Sequence, residues 1–294
     1  MRKIILSTES GADLPSDLAE KHKIQVVPMH IIMGGEDYED GSLPVEDIYD
    51  YYERTKNIPS TTATNVHEYQ EFFAKIQGKF PDCSIVHVGY TSKASSSFQN
   101  AVIAADEFED IHLIDALNVT GGLAAIVLHA ADLLEKQPDI EPDKLVENIE
   151  ISVPKARLAF IPGSLEFLKA GGRVSNMGSL IGTLLKIKPR IDLKNGKLMS
   201  TKKYRGKMSG ASEKLFRDYL SEFDIDREQL YFIYSLGLDE KIKQRMEEVA
   251  GENGFQHIRW VQAGGMISTH SGPGGFGVAG LERGVRPASE NSSE

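Results

Sequence analysis

Two stretches early in this chain are crowded with hydroxyls, Ser60-Thr61-Thr62-Ala63-Thr64 and Thr91-Ser92-Lys93-Ala94-Ser95-Ser96-Ser97. A third, Gly264 to Gly280 (GGMISTHSGPGGFGVAG), holds a single ionisable residue, His270. Arg173 follows the pair Gly171-Gly172. Each hydroxyl loop precedes a predicted helix, where free backbone N–H groups and the positive dipole end offer a seat for an anion. Ser and Thr hydroxyls add neutral donors there, although the same residue types also cap helices for structural reasons alone. Around His270 the glycines imply positive φ or a close backbone approach, and Pro273 stiffens the loop, so the imidazole reads as aimed at a target. Together these residues point to one shared anion site. A carboxylate suits it better than a phosphate, because no Walker pattern is present and Gly274-Gly275-Phe276-Gly277 is too irregular for a nucleotide fingerprint.

The same residue types admit a second chemistry. Ser92 or Ser95 as nucleophile, His270 as base and Asp115 as orienter would make a Ser/His acyl-ester hydrolase. The nucleophile-elbow pattern G-x-S-x-G is absent, and Gly89-Tyr90-Thr91-Ser92-Lys93 does not replace it. The other seven histidines show no metal-ligand spacing, and one cysteine, Cys83, excludes a disulfide framework or a Cys-based zinc site.

The elements that must position these residues alternate. Strands are expected at Lys3–Leu6, Ile24–Met33, Ser84–Val88 and Ile111–Ile114. Helices are expected after Asp13, over Pro44–Lys56, from about residue 65 to Gly78, through Phe108, and over Val119–Lys136. That alternation predicts a mostly parallel sheet with flanking helices over residues 1–150. Beyond it the pattern changes. Helices at Pro142–Val153, Leu165–Lys169, Met208–Glu222 and Glu240–Asn253 accompany strands at Arg157–Ile161, Leu230–Leu236, His257–Val261 and Phe276–Leu281, and the segment Gly178–Leu185 follows Arg173-Val174-Ser175. Asn195-Gly196 between Ile187–Leu193 and Lys197–Tyr204 is a two-residue hairpin signal. The expectation is a second α/β domain over 151–282, with a mixed sheet and a hairpin, then a flexible tail over 283–294.

The chain has 294 residues, 40% hydrophobic and 26% charged, as in an ordinary soluble globular protein. A net charge of −10 argues against nucleic acid as a partner. The start, MRKIILSTESG, is too weakly apolar for a signal peptide, and no run is long enough to span a membrane, so a cytoplasmic protein is expected. One segment runs against the acidic balance. Lys186–Lys207 carries nine basic residues against Asp192 alone, a net +8 that leaves −18 for the rest. Such a run fits a solvated hairpin or a docking face for an acidic partner or an anionic membrane surface. Lys202, Lys203 and Arg205 are its best contact candidates.

The motifs together resemble the DegV family, bacterial fatty-acid-binding proteins of the fatty acid kinase system, over about residues 3 to 282. Ile5-Leu6-Ser7-Thr8-Glu9-Ser10 is similar to the family's opening strand and turn, with Glu9 where Asp is usual. Pro59-Ser60-Thr61-Thr62 and Thr91–Gln99 resemble its two hydroxyl loops, with Ala63-Thr64 and Lys93-Ala94 as departures. Gly171-Gly172-Arg173-Val174-Ser175, the following Ile181–Pro189, and His270-Ser271-Gly272-Pro273-Gly274 are similar to its later motifs. The resemblance implies two α/β domains with a long-chain fatty acid in a tunnel between them. It implies that Thr61 or Thr62 and Ser92 or Ser95 bind the carboxylate, with Arg173 and His270 serving it or its phosphorylation. It implies a carrier without a cofactor, whose acid a separate fatty acid kinase converts to an acyl phosphate. A long tail suits these energetics: each buried methylene gives about 0.8 kcal/mol, and the hydroxyl loops would offset the desolvation of the carboxylate.

Overall fold

The computed structural model describes residues 3–180 and 187–285. Residues 181–186, which hold most of the segment Gly178–Leu185 and Lys186, lie outside the described residues, as do 286–294 of the expected tail. The first half runs β1 (Lys3–Glu9), α1 (Ser16–Lys21), β2 (Gln25–Val27), β3 (His30–Met33), β4 (Glu36–Glu39), α2 (Val45–Thr55), β5 (Ser60–Thr62), α3 (Val66–Lys79), β6 (Cys83–Gly89), α4 (Ser97–Ala105), β7 (Ile111–Asp115), α5 (Thr120–Lys136) and α6 (Pro142–Ser152). The second half runs β8 (Ala156–Ile161), α7 (Leu165–Gly171), β9 (Ile187–Lys194), β10 (Lys197–Arg205), α8 (Met208–Glu222), β11 (Gln229–Tyr234), α9 (Glu240–Glu252), β12 (His257–Gln262), α10 (Gly265–Ser271) and β13 (Phe276–Leu281).

The first sheet is parallel, in the order β2-β1-β6-β7, as the strand–helix alternation requires. Every residue of β6 is buried, the polar Ser84 and His87 included, which is why its sequence is mostly apolar and shows no in–out alternation. The second sheet is mixed, in the order β10-β9-β8-β13-β11-β12, with only β11 and β12 parallel. The β9–β10 hairpin turns at Asn195 and Gly196, both at positive φ (49° and 77°), as the two-residue turn demands. The small antiparallel sheet β4-β3-β5 was not expected. Pro28 interrupts the single strand read over Ile24–Met33, and β3 leaves the parallel sheet to pair with β4 and β5.

Helix α5 is the centre of the molecule. All but four of its residues are buried. It packs on β1 and β6 of the first sheet and on β8, β11 and β13 of the second. One apolar core therefore contains Leu6, Val86 and Val88, then Leu123, Ile126 and Val127, then Leu158, Ile233 and Ala279. The approach to the second sheet is close: a Cβ on Gly121 would lie 2.6 Å from Ile233 Cγ1. Helices α8 and α9 cover the opposite face of that sheet with a separate core that includes Phe216, Phe232 and Met246.

The glycine-rich segment 264–280 is not one loop. Residues 265–271 form α10, and only 272–275 remain as a turn before β13. The helix escapes sequence reading because five of its seven residues are buried, which erases any amphipathic period.

Candidate functional site

Helix α10 positions His270, and the first half of the chain holds α10 in place. Asp13 accepts the Gly264 N–H at 2.8 Å and the Thr120 hydroxyl. Asp40 accepts the Met266 N–H at 3.0 Å. Two carboxylates at the start of a helix satisfy its free N–H groups and complement its dipole. Burial pushes the Asp13 carboxyl well above the ordinary range and raises Asp40 too, against the hydrogen bonds that favour their charge. On α10 only Ile267 and His270, one turn apart, keep partial exposure. Both face a cavity.

That cavity is an apolar slot with about 710 Å³ of atom-free space when the open solvent at its mouth is included. Its walls come from several elements: Val119 and Thr120 where α5 begins, Leu158 and Phe160 on β8, Ile233 on β11, Phe276 and Gly277 on β13, Leu168 on α7 and Leu198 on β10. The strand register explains the room. Gly277 lies between Phe160 and Ile233 on neighbouring strands, so one position in the middle of the sheet carries no side chain.

The polar groups lining the slot are few, and two of them are already committed. Ser235 Oγ donates to Gly272 O at 2.6 Å and accepts the Gly275 N–H at 2.7 Å. Thr120 donates to Asp13. His270 is different. Its Nε2 shares a 2.8 Å hydrogen bond with Thr61 Oγ1, while its Nδ1 is buried and has no partner among the described residues. The imidazole packs closely on Gly171, where only glycine fits: a Cβ there would lie 2.2 Å from Nδ1. Arg173 lines the same wall and gives one N–H to Gly171 O at 2.6 Å. Burial in the slot, with the nearby Arg173 charge, pushes the His270 imidazole down to about 4, so it is neutral at physiological pH. The arrangement is a neutral imidazole and a guanidinium at the polar wall of an apolar slot, which suits an amphipathic acid.

A family-wide sequence profile described as an uncharacterised protein of the DegV family matches residues 3–283. The chain belongs to the DegV family. It is 31% identical over 286 residues to a DegV domain-containing protein of Caldanaerobacter subterraneus, covering 95% of this chain and 98% of that one. It is 26% identical over 293 residues to a protein of Thermotoga maritima named as fatty acid-binding, covering 96% and 99%. Among solved structures, the fatty-acid-binding DegV protein of Thermus thermophilus superposes with a TM-score of 0.85 at 25% identity, covering 96% of this chain and 100% of that one. These structures share the α/β fold with its parallel and mixed sheets.

In this DegV chain the expected site residues divide. His270 and Arg173 line the slot, and Thr61, which does not line it, reaches it only through its hydrogen bond to His270. Thr62, next in β5, is exposed, because neighbours in a strand point to opposite faces. Ser92 gives its N–H to the Asp115 carboxylate at 3.3 Å, and Ser95 Oγ accepts the Ser97 N–H at 3.2 Å; neither lines the slot. Asp115 also accepts the Leu117 N–H at 2.9 Å. His270 therefore meets a threonine, not a serine, and Asp115 orients a loop, not an imidazole. Sequence reasoning missed the slot walls, and it missed Tyr90, a buried wall residue whose N–H donates to Glu9 at 2.7 Å. Glu9 is fully buried. Burial opposes its charge, but His87, Tyr69 and the Tyr90 N–H outweigh it and hold the carboxyl below its ordinary range. Tyr69 extends this network to Ser97 at the start of α4.

The basic hairpin is less exposed than its sequence suggests. Arg190 is only 1% exposed, paired with Asp192 and Glu222. Lys202 reaches Glu222 at 2.6 Å and Asp218 at 3.2 Å on α8. Lys203 and Arg205 lie on the exposed side of β10. Among the described residues no helix is long and apolar enough to cross a membrane.

Proposed function

We propose that this chain binds a long-chain fatty acid in the slot and presents its carboxylate to a separate fatty acid kinase for acyl-phosphate formation. The observation that carries this reading is His270 Nδ1, a buried polar atom without a partner among the described residues, on a side chain in the wall of an apolar cavity that Arg173 also lines. If Thr61 donates to Nε2, the proton sits on Nδ1 and is offered to a carboxylate oxygen; Arg173 supplies the charge that offsets its desolvation. The fatty-acid-binding relatives of Thermotoga and Thermus support the same ligand class. The chain serves as a carrier and the kinase performs the phosphoryl transfer. An ester hydrolase draws no support from these contacts, since the hydroxyl bonded to His270 is that of Thr61, while Ser92 bonds Asp115 through its N–H and Ser95 accepts from Ser97.

Organic extraction of the purified chain, followed by mass spectrometry, should release free fatty acid near one per chain. By calorimetry, Thr61→Val and Arg173→Ala should each cost about 1–3 kcal/mol of affinity, the scale of a lost hydrogen bond to a charge. Thr62→Ala and Ser95→Ala should bind like wild type. A chain that binds no fatty acid, or equal losses in all four variants, refutes the proposed seat.

Collection of ligand from an anionic membrane and delivery to the kinase are assigned to the hairpin. Reversing Lys203 and Arg205 to Glu, with Lys202 left in its ion pairs, should slow transfer from anionic vesicles or kinase coupling several-fold at low salt. The gap should close as salt screens the charges, because the screening length is about 8 Å at physiological salt. Solution affinity should not change. Unaltered transfer and coupling would leave the run as a solvated hairpin.

A further inference from the structure

The end of α1 meets the C-terminal end of α5, where Lys21 and His22 both approach Glu135. His22 follows the last residue of α1, and its N–H bonds back to Leu18 O, which fixes the backbone there. Its side chain is only 6% exposed, and Nδ1 lies 3.1 Å from Glu135 Oε1. Asp132 stands three residues before Glu135, so both carboxylates project from one face of α5. The candidate donor atoms of His22, Asp132 and Glu135 all lie within 4.8 Å of one another.

Two physical features distinguish this cluster from a simple ion pair. First, it places two carboxylates near the end of a helix whose dipole is negative there, where cations are favoured and acids are not. Lys21 Nζ, 3.4 Å from Glu135, is a weak remedy, since both groups are more than half exposed. Second, the imidazole is held by a helix end and by burial, so one donor is already fixed while the exposed Glu135 can adjust. Tetrahedral zinc donors at about 2.0–2.1 Å from the ion stand roughly 3.4 Å apart, a small closure from the present spacing.

We propose that His22, Asp132 and Glu135 form a divalent-cation site that fits Zn2+ best and ties α1 to the end of α5. One nitrogen and two carboxylates suit Zn2+ or Co2+, whereas Mg2+ and Ca2+ prefer oxygen donors alone. The three protein donors carry a charge of −2 with the imidazole neutral, which one such ion balances. A fourth position is left for water, so the ion exchanges with solvent. The site shares no residue with the slot.

The test is a titration of the untagged full chain with CoCl2 in chelator-free buffer, followed by visible absorption. One equivalent should produce the d–d bands of low-coordinate cobalt, Zn2+ should abolish them, and thermal melting should rise with either ion. His22→Gln and Glu135→Gln should each weaken Co2+ binding at least tenfold, with fatty-acid affinity unchanged as the check on folding. A wild-type chain that takes up neither ion at micromolar concentration overturns the proposal. So does binding of equal strength in both variants, or a response to Mg2+ or Ca2+ in place of Zn2+.

Discussion

An Ile267→Trp chain is expected to lose fatty-acid binding while keeping its melting temperature. Ile267 lies one turn before His270 and shares its partial exposure into the slot. An indole there enters the space that the acyl chain needs next to its carboxylate seat. Each buried methylene is worth about 0.8 kcal/mol, so displacing some six of them removes about 5 kcal/mol, a loss of three to four orders of magnitude. Folding should tolerate the change, because the added volume goes into existing space and not into packed core. Calorimetry with a saturated and an unsaturated acid, together with a thermal melt, reads both quantities. Wild-type affinity in this variant would mean that the acid does not lie in the slot.

The second large effect concerns acid. The His270 imidazole sits at about 4 in the folded chain, against an ordinary value near 6.5 in the unfolded one. As pH falls below 6.5 the unfolded chain takes up this proton first. The stability that depends on a neutral His270 is thus complete above about pH 6.5 and lost as pH falls toward 4, by roughly 3 kcal/mol in total. Other groups titrate nearby with the opposite sign: the raised carboxyls of Asp13 and Asp40 bind protons more readily in the folded chain and gain stability as pH falls. The comparison that isolates His270 is therefore wild type against His270→Gln, by denaturant unfolding from pH 7 to 4. The difference between the two should shift against wild type by about 3 kcal/mol across that window. A bound carboxylate beside the imidazole should shrink the shift. A constant difference would mean that His270 is as well hydrated in the fold as outside it.

Much of this fold is legible in the sequence, for identifiable reasons. β6 is one mostly apolar run, α5 is a long helix with clear bounds, and Asn195-Gly196 states its turn outright. What escaped has a common cause. β4 and β5 are four and three residues long, too short for a period, and α10 is almost wholly buried. Because β5 was read as loop, Thr61 and Thr62 could not be told apart, although strand alternation lets only one of them face His270. His270 and Arg173 stood out by residue type in glycine-rich surroundings. The slot walls could not stand out, since Leu158, Phe160 and Ile233 are the same residues a filled core would use; only the register of Gly277 between two strands reveals the gap.

The position of α5 also limits how this protein can vary. Both sheets bury their inner faces against one helix, so neither half owns a complete interior. A cut near residue 150 would leave the second sheet facing water along Leu158, Ile233 and Ala279. The halves are therefore not cassettes to be swapped between relatives: a donor second half must match the groove that this α5 fills, down to the missing side chain at Gly121. Substitutions on the slot side of the helix and on its first-sheet side share one support, and their effects on stability are expected to be non-additive where they touch common partners.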